Sequence, residues 1–148
     1  SGQCPCQRRP RPIRGQTVRL RPASRHESVQ RVIQAPGVGY LVPRADGSVI
    51  VGATSEEAGP FSVTTAGGIL SLLEAAATLV PAARAWSFLS ASSGLRPLAG
   101  DGELFLEADS ARRGLFHGLG LYRHGILLAP VASTRLAGMA LEYLGRKS

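Results

Sequence analysis

Apolar residues recur at two periods along this chain, and the changes between the periods lay out its elements. In "GQTVRL" Val18 and Leu20 alternate with polar residues, which predicts a short strand. "SVQRVI" predicts a second strand through Val29 and Ile33, and Pro36-Gly37 then breaks the chain. Two β-branched runs, "GYLVPR" and "SVIVGAT", flank a turn containing Asp46-Gly47, the pattern of a β-hairpin. Pro43 has no N–H to give to a ladder, so it is expected at a sheet edge or a bulge. In "TTAGGILSLLEAAATLVPAAR" the spacing of Ile69, Leu72, Leu73, Ala76 and Leu79 becomes helical, with Thr64 or Thr65 as the cap and Pro81 as the stop. "AWSFLSASSGLRP" reads as a strand leading into a turn, and "ELFLE" and "LFHG" as two short strands. A last helix is expected from about Ile126 to Leu144. Pro130 falls in about its first turn, Gly145 ends it, and Arg146 and Lys147 suit its negative end. Strands, helix, strands, helix, with little βαβ alternation, predict an α+β domain. Its sheet should be mainly antiparallel, with flanking helices.

The totals fit this picture. The chain has 148 residues, 44% hydrophobic and 18% charged, enough for one folded domain. Eighteen glycines and ten prolines mark a fold rich in turns. The formal net charge is +7, but it is unevenly placed. Arg8, Arg9, Arg11, Arg14, Arg19, Arg21 and Arg25 all precede the first acid, Glu27, and the remainder is balanced. Residues 1–14 therefore read as a basic, mobile arm, and residues 15–148 as the folded body. Such an arm can bind anions or nucleic acid. No aromatic residue interleaves with these arginines, which argues against a single-stranded nucleic-acid site.

Cys4 and Cys6 form a lone C-x-C without further ligands nearby. That is poor support for a metal, and a bridge between them would close almost no loop, so they read as free thiols of a reducing compartment, the cytoplasm. No apolar run is long enough for a membrane span, and no secretory core follows the N-terminal arginines.

Two segments carry candidate chemistry. In "GLYRHGILLAP", residues 120–130, a glycine-flanked turn leads into a helix. The backbone of Arg123, His124, Gly125, Ile126 and Leu127 would present free N–H groups to an electron-rich oxygen. Arg123 adds a planar charged fork suited to a carboxylate. In "GLRP" Arg96 ends a largely apolar strand, where a guanidinium needs an anionic partner, either structural or a substrate carboxylate. Tyr40, on the hairpin, could add a hydroxyl. Each feature has a plainer reading: an ordinary strand–helix connection, an internal ion pair, a half-buried aromatic. His26, His117 and His124 show neither triad order nor zinc spacing. "GLGLYR" is not a dinucleotide fingerprint, because Arg123 replaces its last glycine.

"PIRGQTVRL", "GYLVPRADGSVIVGAT", "TTAGGILSLLEAAATLVPA", "GLRPLAGDG" and "GLYRHGILLAP" occur together in this order. In this the chain, from about Pro10 to Gly145, resembles the FAD-dependent D-amino acid oxidase family, and within it the glycine oxidases of thiamine biosynthesis. The resemblance implies FAD as cofactor and a small amino acid as substrate. It implies that Arg96 pairs with the substrate carboxylate, that Arg123 stands at the mouth of the active site, and that Tyr40 is an active-site tyrosine. It further implies that the backbone of Arg123–Leu127 faces the flavin C2 carbonyl; no side chain is assigned as a catalytic acid or base. The chain departs from the family at His124, where asparagine is usual, at Leu121, where histidine is common, and at Val38, where one subgroup has histidine. "ELFLE" likewise replaces a segment that often carries a proline and "IG". Substrate choice is the property these changes bear on.

The family's members are longer, with a preceding Rossmann-type FAD-binding part that this chain lacks. The expectation is therefore a later portion whose C-terminal helix completes an FAD domain, inactive alone and binding FAD weakly or not at all. That helix would leave an apolar face for the missing FAD-binding half or for self-association. Two other functions stay open on the sequence: a non-catalytic module binding a small carboxylate or a partner, and anion or nucleic-acid binding through the arginine arm.

Overall fold

The computed structural model describes residues 10–145, apart from Asp101 and Glu103. Cys4, Cys6, Arg8, Arg9, Arg146 and Lys147 lie outside the described residues, as do Asp101 and Glu103 themselves and most of the arm expected over 1–14. The strands are β1 (Arg11–Arg21), β2 (Ile33–Ala35), β3 (Gly39–Pro43), β4 (Val49–Gly52), β5 (Ser87–Leu98), β6 (Phe105–Ala108) and β7 (Phe116–Leu119). The helices are α1 (Ala66–Leu79) and α2 (Gly125–Gly145). This is the expected α+β fold. The chain forms two compact units, one of residues 14–95 and one of residues 96–145 with the start of β1.

The first unit is built on a five-stranded sheet ordered β2-β3-β4-β1-β5. The hairpin pairs Tyr40 with Gly52, Leu41 with Val51 and Pro43 with Val49, and Arg44 N–H closes its turn on the Ser48 carbonyl at 2.8 Å. Ile33, Leu41, Val51 and Val18 stand side by side across four strands, since each register pairs one with the next. Leu20 and Val49 form the next row. Alternation places these side chains on one face, where Leu72 and Ala76 of α1 cover them with Trp86 and Ala83. Pro43 belongs to an interior strand but stands where that strand's β2 side is open, a local edge as expected. It closes β3, beyond the last residue that β2 pairs, so its missing N–H costs no ladder bond.

Two strands differ from the sequence expectation. The second begins at Ile33 rather than Ser28, because the Gln30 amide donates to the carbonyls of Arg25 and Ser28 and holds that stretch as a turn. The first begins at Arg11 rather than Gly15, and Ile13, Arg14, Gly15 and Gln16 are buried in succession. Polar pairing explains that run. Arg14 forms an ion pair with Glu56, and their backbones bridge through Arg14 N–H to Glu56 O at 2.8 Å. The excess charge is thus not confined to a leader, since Arg14 and Arg19, which pairs with Asp46, belong to the sheet.

Gln16, fully buried, ties β1 to the start of α1. Its Nε2 donates to Glu56 Oε1 at 2.7 Å and Thr65 Oγ1 at 3.1 Å, while its Oε1 accepts the Thr65 N–H at 2.7 Å. Thr65 is the N-cap, its hydroxyl accepting from Gly68 N–H at 3.2 Å. Gly68 permits this approach, because a Cβ there would lie 2.2 Å from Gln16 Nε2. Hydrogen bonds from Thr54, Arg14 and Gln16 hold the Glu56 carboxyl down to about 2 against partial burial.

In the second unit β6 and β7 pair antiparallel, with Glu107 opposite His117. Asp109 fastens the connection, accepting from the N–H groups of Ala111 and Arg112 and bonding His117 Nε2 at 2.7 Å. The helix α2 packs on this hairpin. Phe116 meets Tyr143 edge to face at 6.0 Å between centroids, and a Cβ at Gly118 would lie 2.8 Å from Leu136 Cδ1. Pro130 falls in the second turn of α2, not the first, so the Ile126 carbonyl loses its usual N–H donor.

Candidate functional site

The segment 120–128 is organised by its backbone. Gly120 is buried with φ +82°, and Tyr122 also takes a positive φ, +37°. His124 N–H donates to Leu121 O at 2.7 Å and closes a turn with Tyr122 at its second position, where glycine is usual when φ is positive. A tyrosine held in that region is the kind of local strain that collects at functional sites. The His124 carbonyl then accepts from Leu128 N–H at 2.8 Å, the first bond of the helix. The N–H groups of Gly125, Ile126 and Leu127 therefore have no acceptor within the helix. They lie at its positive end, suited to an oxygen bearing partial negative charge. Around them the apolar side chains face solvent, Ile126 at 96% and Leu127 at 74% exposure. Arg123 is exposed, with its guanidinium carbon 5.4 Å from the centroid of the Tyr122 ring.

Arg96 belongs to the same unit. It lies within β5, two residues before the strand ends, and not in the turn after it. The strand is mostly exposed rather than buried, because it is the last in the sheet order, although Arg96 itself is half-buried. The burial argument for an anionic partner is correspondingly weaker than the sequence suggested.

Tyr40 lies in the other unit, on β3, and is half-buried. Its ring covers Gly52 on the neighbouring strand, where a Cβ would come within 2.2 Å of Tyr40 Cζ. Gly39 is drawn in as well, with φ +150° and a Cβ position 2.8 Å from Gly52 O. The glycines at 39 and 52 thus set where the Tyr40 hydroxyl stands. Sequence reading missed this cradle, because which glycine lies across the ladder from Tyr40 is set by the register of β3 on β4.

Among the described residues no three His, Cys, Asp or Glu side chains gather as metal ligands. No described helix is long and apolar enough to cross a membrane.

Comparison with known proteins gives a consistent result. The family model described as FAD dependent oxidoreductase matches residues 2–139. The bifunctional protein ThiO/ThiG of Synechocystis sp. is 40% identical over 134 residues, which are 88% of this chain and 20% of that protein. The glycine oxidase of Geobacillus kaustophilus is 34% identical over 128 residues, 86% of this chain and 33% of that protein. The crystal structure of glycine oxidase from Geobacillus kaustophilus superposes with a TM-score of 0.79, covering 88% of this chain and 35% of that one. Iminodiacetate oxidase from Chelativorans sp. BNC1 superposes with a TM-score of 0.78 at 26% identity, covering 91% of this chain and 37% of that one. The chain therefore spans between a fifth and roughly a third of these relatives.

Proposed function

The chain belongs to the family of FAD dependent oxidoreductases, and on that premise we propose that it is the substrate-binding portion of an amine oxidase acting on glycine or another small amino acid. The observation that carries this reading is the start of α2. Free N–H groups at 125–127, an exposed arginine beside them and two bare apolar side chains form one wall suited to a flavin edge and an anionic substrate. FAD, when bound, supplies the two-electron acceptor for a hydride leaving the substrate Cα. The backbone of Arg123, His124, Gly125, Ile126 and Leu127 would hold the ring's carbonyl edge and would favour negative charge there. Arg96 fixes the substrate carboxylate through its guanidinium fork, so that orientation does much of the work. Arg123 guards the entrance, and the family resemblance assigns Tyr40, which lies in the other unit, as an active-site tyrosine. The nucleotide end of FAD finds no glycine-rich loop in this sequence. The chain alone should therefore bind FAD weakly and not turn over. The exposed face of α2 is the surface that an FAD-binding portion, or a second copy, would cover. A cytoplasmic place in thiamine biosynthesis, implied by the glycine oxidase resemblance, belongs to the same proposal.

The test is the visible spectrum of the chain with FAD, alone and after joining it to the N-terminal portion of the Geobacillus kaustophilus glycine oxidase. The expected result is no retained flavin alone, and retained flavin with peroxide formed from glycine in the joined protein. In that protein Arg96→Leu should raise KM for glycine roughly tenfold to a hundredfold, the loss of one charged hydrogen-bonded pair. Flavin retention without oxidation of any small amine would reject the substrate assignment. Turnover by the chain alone would reject the division of labour.

A further inference from the structure

A cleft lies wholly within the unit of residues 14–95, at the turn end of the β3–β4 hairpin, with a volume of about 510 Å³. Three segments meet there. The end of β1 brings Arg21, the short 3-10 turn Arg25–Glu27 brings Arg25, and the hairpin turn brings Arg44. One acid lines the same space, Asp46, and it is already engaged. Asp46 accepts the Ser48 N–H at 3.1 Å and the Ser48 hydroxyl at 2.7 Å, pairs with Arg19, and stands 3.9 Å from Arg21. The neighbouring Glu27 does not line the cleft and accepts from the Ser24 hydroxyl at 3.1 Å. Arg25 and Arg44 have no carboxylate partner among the described residues. Two arginines thus line one space without a carboxylate partner of their own among the described residues.

We propose that this cleft, lined by Arg21, Arg25 and Arg44, binds the phosphate group of a small phosphate monoester. The charge balance points to phosphate, because a monoester carries about −1.5 to −2 near neutral pH and matches two unpaired guanidinium groups. Guanidinium forks donate to phosphate oxygens in pairs, which gives orientation as well as charge. The space exceeds the phosphate alone and falls within the roughly 300–1,000 Å³ of ligand pockets, so the organic part also fits. Pro22, buried at the end of β1, and Pro43, at the end of β3, give the cleft stiff walls. The site is independent of the oxidase reading and of the arginines ahead of residue 10.

The experiment is calorimetric titration of the full chain with ribose 5-phosphate, with ribose and inorganic phosphate run in parallel. Saturable one-to-one binding of ribose 5-phosphate is expected, competed by inorganic phosphate and absent for ribose. The double substitution Arg25→Ala with Arg44→Ala should weaken it at least tenfold without lowering Tm, since both side chains are exposed. Arg25→Lys with Arg44→Lys should restore part of the loss. Arg8→Ala with Arg9→Ala, and Arg84→Ala, should leave it unchanged. Unaltered affinity in the Arg25/Arg44 alanine variant would overturn the proposal. So would loss of binding in the Arg8/Arg9 variant, equal binding of ribose, or no saturable binding by the parent chain.

Discussion

The two helices differ in where their stabilisation closes. Helix α1 has 14 residues and buries Leu72, Ala75, Ala76 and Ala77. Helix α2 has 21 residues and buries Ala132. Leu136 and Tyr143 pack on the β6–β7 hairpin, while Ile126, Leu127, Val131, Leu141 and Leu144 face solvent. At 3.6 residues per turn those five fall within roughly 140° of arc, so the bare positions form one face. Both helices are apolar enough to belong to a core. Only α1 meets a surface of its own unit that covers its apolar residues so fully. Apolar content alone therefore does not distinguish a helix satisfied within its unit from one with an apolar face still to cover.

The contrast can be broken most directly at the sheet that α1 covers. Leu41→Ala, in the middle of the four-strand row, should cost about 2–5 kcal/mol in urea unfolding, because a fully buried leucine leaves a cavity there. A smaller effect should appear with pH. Glu56 has its carboxyl lowered from 4.5 to about 2, so its contribution is complete above the unfolded value and is lost as pH falls through that interval. The midpoint of thermal unfolding should therefore drop between pH 4.5 and pH 2, and Glu56→Gln should flatten that slope. Smallest of all should be Leu127→Gln with Leu141→Gln. On an already exposed face the pair should change stability by less than about 0.5 kcal/mol per site. The same pair should weaken association with an FAD-binding portion, measured as retained flavin. A large loss of stability in the isolated chain would show that α2 is covered after all.

Much of this was legible in the sequence, for identifiable reasons. The hairpin around Asp46-Gly47, the Thr65 cap and the start of α2 rest on local chemistry, and local patterns report it. The start of β1 does not, because Arg14 and Gln16 are buried by pairing, and a pattern of apolar residues has no sign for that. The bend at 28–32 escaped because the Gln30 side-chain amide bonds the carbonyls of Arg25 and Ser28, a local polar contact that apolar periodicity does not report. At the candidate site the residue types were visible, and the strand, turn and helix that carry Arg96, Tyr40 and Arg123 were placed nearly correctly. The cradle of Gly39 and Gly52 under Tyr40 was not visible, since it depends on register between strands.

The contact of Gln16 with Gly68 sets a rule for how this sequence can drift. A methyl group at position 68 would occupy the space of the Gln16 amide, and losing that amide would strand the Thr65 N–H and take one of three side-chain hydrogen-bond partners from the Glu56 carboxylate. Neither position is free to change first. In descendants of this chain the two should change as a pair: a side chain appears at 68 only where 16 has become smaller, and Thr65 and Glu56 find other partners in the same lineages. Substitution at either site alone should be purged, although the two lie far apart in the sequence and neither touches the chemistry.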